Sequence, residues 1–170
     1  MICRRTSTDV FIYITLLLVI ITIAISNHTV IAQTEPEQKL TTELSGVNEV
    51  PPTDSSSTGS AEFDIIGTDS IRYNVTASNI QNVTAGHLHG GLEGENGPII
   101  VTLFSYDTPM NQVSESGTIT AGNSSFQGAT TTSQQQFMDF MNAMRTGQIY
   151  INIHTEQNPD GEIRGQITAN

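Results

Sequence analysis

Apolar and polar residues alternate along most of the chain with a period of two. Ala61, Phe63 and Ile65 alternate with Glu62 and Asp64, and Ile71, Tyr73 and Val75 alternate with Arg72 and Asn74. This is the pattern of half-buried strands. Gly67-Thr68-Asp69-Ser70 between the two runs has hairpin length. Leu40, Thr42 and Leu44 share one face of an earlier strand. Val50-Pro51-Pro52 and the Ser/Thr/Gly/Asp-rich stretch to Ser60 then read as loop, because proline has no donor for a ladder. Further strands are expected over Ala85–His89, Ile99–Phe104, Val113–Ala121, Ile149–His154 and Glu162–Ala169. One segment changes period. Phe137, Phe140, Met141 and Met144 fall at i, i+3, i+4 and i+7, one face of an amphipathic helix over about 133–146. Ser133 with Gln136 supplies a capping box and Gly147 a stop. The elements predict an all-β protein, an antiparallel immunoglobulin-like or Greek-key β-sandwich or barrel carrying one short helix.

The start of the chain differs from the rest. Arg4 and Arg5 precede an uncharged run from Val10 to Ile25, and Val30-Ile31-Ala32 forms a small-residue exit. Residues 1–32 therefore read as a signal peptide or an N-terminal membrane anchor, residues 33–39 as a polar linker, and 40–170 as the β domain. The expected location is secreted or cell surface, with anchoring in the cytoplasmic membrane as the alternative and no other membrane contact. Cys3 is the single cysteine, so residues 33–170 have no thiol for a disulfide or a metal.

The exported part carries four basic residues against sixteen acids, a formal −12. That surface repels nucleic acid and anionic lipid. Asn74, Asn82 and Asn123 stand in glycosylation-acceptor triplets.

Candidate chemistry is confined to two stretches. Gly86-His87-Leu88-His89-Gly90-Gly91 and Tyr150-Ile151-Asn152-Ile153-His154 hold the three histidines of the exported part. His87 and His89, two apart, share a strand face. Ile149, Ile151 and Ile153 take the apolar face of the later strand, leaving Tyr150, Asn152 and His154 on the polar one, outside the core. If the strands are neighbours, three imidazoles converge, a donor set suited to copper or zinc. Asp160, Glu93 and Glu95 are candidates for a fourth ligand or for a partner that fixes a histidine tautomer. The competing reading is a structural network of Asn152, Arg164 and Glu162, with Arg164 pairing to Glu162 or Asp160.

Several stretches resemble the chordin-domain (CHRD) family: Leu44-Ser45-Gly46-Val47-Asn48-Glu49-Val50-Pro51-Pro52, His87-Leu88-His89-Gly90 followed by Asn96-Gly97-Pro98-Ile99, Gly147 to Thr155, and Pro159 to Ile167. They come in order and cover nearly all of 40–169, like a single-domain microbial member. The resemblance implies an extracellular β domain distantly like the copper/zinc superoxide dismutases. Those enzymes need more histidines for copper than the three present here. The resemblance therefore favours a non-enzymatic binding or structural module of the cell envelope, with an extracellular protein, a glycan or a second copy as partner. The alternative is a copper- or zinc-binding protein using His87, His89 and His154, with a minor redox role.

Overall fold

The computed structural model describes residues 38–122, 126 and 133–169. The leader, most of the linker and Asn123 lie outside the described residues. The strands are β1 (Gln38–Ser45), β2 (Thr58–Ile66), β3 (Ser70–Ser78), β4 (Val83–Gly90), β5 (Ile99–Met110), β6 (Val113–Thr120), β7 (Ile149–Thr155), β8 (Ile163–Gln166) and β9 (Thr168–Ala169). The helix α1 (Gln134–Arg145) lies between β6 and β7, and a short 3-10 turn at Gly46–Asn48 follows β1. β1 thus starts inside the segment read as a linker. β5 runs well past Phe104 to Met110: Ser105 pairs with Ala85 and Met110 with Val83, and the ladder is irregular between them.

Every pairing is antiparallel, and the order β5-β4-β7-β8-β1-β2-β3-β6 makes one sheet that curls into a nearly closed barrel, with β9 pairing beside β1. The last strand of the sequence reading is two strands here, divided at Ile167. That residue turns inward to the core and donates its backbone N–H to Ile149 O at 3.0 Å. The ends of the sheet, β5 and β6, are linked by side chains: Tyr106 Oη donates to Glu115 Oε1 at 2.7 Å. Tyr73 Oη on β3 also reaches across to Leu103 O on β5 at 2.9 Å.

Alternation sends Leu40, Leu44, Phe63, Ile65, Ile71 and Val75 into a single core. The helix adds its stripe to that core: Phe137, Phe140, Met141 and Met144 are buried, and the capping box of Ser133 and Gln136 is formed at its start.

The strand that departs furthest from a one-sided pattern is β7, which is buried along all seven residues. Its polar face does not meet solvent. It is roofed by the loops around 46–54, 90–97 and 156–162, which bond back to it through side chains.

A candidate three-histidine metal centre

Neighbouring strands bring the histidines together. β4 pairs with β7 so that His87 stands opposite Asn152, His89 opposite Tyr150 and Ala85 opposite His154. Residues facing each other across a ladder share a face, so all three rings rise from one side of the sheet. One ligand atom from each of His87, His89 and His154 lies within 4.8 Å of the others. His87 and His154 ring centroids are 4.7 Å apart, and each lies 5.9 Å from that of His89.

The hydrogen bonds fix the tautomers. A backbone carbonyl only accepts, so a ring nitrogen bonded to one carries the proton. His89 Nδ1 donates to Gly97 O at 3.0 Å and His154 Nδ1 donates to Pro159 O at 2.8 Å. Both Nε2 atoms therefore carry a lone pair rather than a proton. His154 Nε2 accepts from His87 Nδ1 at 2.9 Å, and His89 Nε2 is buried with no partner at all. A cation seated among the rings would replace the shared proton, which His87 can move to its own Nε2.

Electrostatics holds the rings neutral. His87 is pushed down to about 4, first by burial and then by repulsion from His154 and His89. Burial also lowers His89 and His154, against the raising effect of their carbonyl bonds. Neutral imidazole is the metal-binding form.

The roof corrects the sequence reading of the polar residues. Arg164 pairs with neither Glu162 nor Asp160. It donates to Leu92 O, Glu95 O and Asn96 Oδ1 at 3.1, 2.9 and 3.2 Å, and its guanidinium lies 3.4 Å from the centroid of the Tyr150 ring. The reason is register: Arg164 stands opposite Asn152 on β7, beneath the 90–97 loop rather than at the turn before β8. Glu162 is held instead by Ser55, Ser57, Thr155 and Asn158, whose hydrogen bonds keep its carboxyl low against the opposing effect of burial. Asp160, Glu93 and Glu95 are exposed, and none belongs to the convergent donor group. What fixes the histidine tautomers is backbone carbonyl, not carboxylate. Asn152 donates to Glu49 Oε1 and Oε2 at 3.1 and 3.2 Å and to Asp160 O at 3.3 Å.

Three participants escaped the sequence reading. Tyr150 stacks on His89 with centroids 4.9 Å apart and accepts from Gly97 N at 3.2 Å. Gly97 supplies the carbonyl for His89. Glu49 is buried beside Asn152 and Arg164. Gly97 and Glu49 both sit in the motif stretches, which was the available signal, but nothing in a loop sequence shows what lies above it.

Burial pushes Glu49 up to about 7 from 4.5, with Arg164, Asn152 and the Val50 backbone pulling the other way. A raised carboxyl stabilises the fold fully below the unfolded value and loses that contribution as pH rises through the folded value. Glu49→Gln keeps an acceptor and cannot ionise. Its melting midpoint should exceed that of the unaltered chain by a margin that widens between about pH 4.5 and 7 and is flat on either side. Paired melts at pH 4.5, 6 and 8 check this, and a less stable variant at pH 8 would contradict it.

The family model for the CHRD domain matches residues 40–167. No curated protein and no solved structure matches the chain.

Proposed function

Since the chain belongs to the CHRD-domain family, we propose that it works outside the membrane as an exported or surface-anchored binding module, and that it binds one copper or zinc ion through His87, His89 and His154. CHRD domains occur in secreted and extracellular proteins, and the basic-then-apolar leader with an acidic remainder fits that location. The observation that carries the metal is the lone pair on His89 Nε2, buried and unpartnered, in a histidine that offers a ligand atom within 4.8 Å of one on His87 and one on His154. A purely structural histidine network would spend that atom on a protein donor. Carbonyl-bonded Nδ1 atoms behind Nε2 donors are the usual support for a histidine ligand. An ion there would supply Lewis acidity or, as copper, a one-electron couple. The chain's own part is to hold three neutral rings together, two of them, His89 and His154, at tautomers fixed by backbone carbonyls.

The test is metal content of the purified full chain after exposure to zinc or copper at pH 7. One ion per chain is expected, falling to a small fraction in His89→Ala and in His154→Ala. Equal content in all three proteins would remove the reading. The protein-, glycan- or self-binding module would then remain, supported by the exposed Val47 and Leu92 on two of the roof loops.

A further inference from the structure

Asn152 occupies the middle of the histidine group. It faces His87 across the ladder, and His154 and Tyr150 stand two residues to either side of it on the same face of β7. Tyr150 in turn carries the His89 ring. Directly opposed Cβ atoms lie about 5 Å apart and same-face neighbours along a strand about 7 Å apart. A short side chain here lies among all three rings.

Its amide is held in one orientation. Nδ2 meets the Glu49 carboxyl and the Asp160 carbonyl. The carbonyl can only accept, so the nitrogen has to face it. Gly161, at φ +138°, comes so close that a Cβ there would collide with Asn152 Nδ2. With the nitrogen clamped, Oδ1 is turned to the other edge of the amide. That oxygen is fully buried and has no hydrogen-bond partner, and the residue is 3 % exposed. Asn152 Oδ1 and His89 Nε2 are thus two of the three buried side-chain polar atoms without a hydrogen-bond partner among the described residues, the third being Gln166 Oε1, and Asn152 and His89 stand on the paired strands β7 and β4. A buried acceptor left unmatched is costly, so the two together suit a species that brings both positive charge and a hydrogen.

We propose that Asn152 is a positioning residue of the metal centre: its Oδ1 accepts a hydrogen bond from the water that completes the coordination of an ion held by His87, His89 and His154. The inference rests on the three-histidine reading and deepens it. The water's oxygen faces the ion and one of its hydrogens faces the amide. Nothing is oxidised and no proton leaves the site. An amide oxygen suits this role better than a carboxylate would, because it orients the water without removing its proton.

Zinc is the probe, titrated into the full chain against a chromophoric chelator at pH 7, with metal-free melting midpoints measured alongside. Asn152→Ala removes both the clamp to Glu49 and the acceptor. Asn152→Asp removes the clamp and keeps an oxygen. A structural role confined to the clamp predicts that both variants lose stability and that their zinc affinities change equally. The positioning role predicts an affinity about 10- to 100-fold lower in Asn152→Ala and within about threefold of the unaltered chain in Asn152→Asp, although both melt lower without metal. Asn152→Ala within twofold of the unaltered chain, or Asn152→Asp as weak as Asn152→Ala, overturns the inference while leaving the three-histidine site intact. Failure of the unaltered chain to take up zinc, or uptake that His89→Ala does not reduce, overturns both.

Discussion

Arg164→Ala should destabilise the protein by about 3 to 5 kcal/mol, the usual result of deleting one member of a buried charged network. For a domain of this size that is a fall in melting midpoint of roughly 10 to 20 °C. The side chain is 2 % exposed. Its guanidinium is the donor for two carbonyls and one amide oxygen in the 90–97 loop, and it stacks on the Tyr150 ring. Alanine would leave the Leu92 and Glu95 carbonyls facing a cavity. It would also strip Glu49 of the charge that pulls its pKa down. Lysine should recover little of the loss, because a single ammonium cannot reproduce the planar fork or the stack. Thermal melts of the three proteins at pH 7 check this. A shift under about 5 °C for the alanine variant would mean that the loop is held by something else.

The second large effect is expected at Gly97. A Cβ there would run into the carbonyl of Gly90, a backbone atom that cannot move aside without displacing β4. Gly90 N also donates to Pro98 O at 3.1 Å, closing the loop at its neck. Gly97→Ala should therefore cost about 3 kcal/mol or more. Its effect should not stop at stability, because Gly97 O is the acceptor that fixes His89 Nδ1 and Gly97 N is the donor to Tyr150 Oη. Displacement of that carbonyl by the clash frees the His89 tautomer, so zinc affinity should fall about 10- to 100-fold in the fraction that still folds. Melting and chelator competition on the same sample separate the two effects. A destabilised variant with unchanged affinity would show that the loop carbonyl does not orient the ring.

The all-β architecture was legible because solvent lies on one side of β1, β2 and β3. There Phe63, Ile65, Ile71 and Val75 alternate cleanly with polar and charged residues, and period two is unambiguous. The helix was legible for a similar reason: its four apolar residues and its capping box are local. The convergence of the histidines needed one assumption, that Gly86–Gly90 pairs with Ile149–His154, and β4 and β7 are neighbours. The environment of those rings was hidden. A polar residue on a strand reads as facing water, yet Tyr150, Asn152, His154 and Arg164 are all buried under loops. No periodicity in 46–54, 90–97 or 156–162 announces a roof, since loops bury themselves through backbone carbonyls that every sequence possesses. The partner of Arg164 was misjudged on the same account: proximity in sequence favoured Glu162 and Asp160, and register chose the 90–97 loop.

The roof over β7 also has a consequence for assembly. Its ties join residues far apart in the chain: Asn152 to Glu49 across 103 positions, Arg164 to Leu92 across 72 and Thr53 to Glu162 across 109. Contacts this distant make folding slow. A chain growing from its N-terminus cannot finish the enclosure until its last strands arrive. Under the proposed three-histidine reading, cation capture belongs to the completed barrel, and a nascent polypeptide has no pocket with which to scavenge metal along the way.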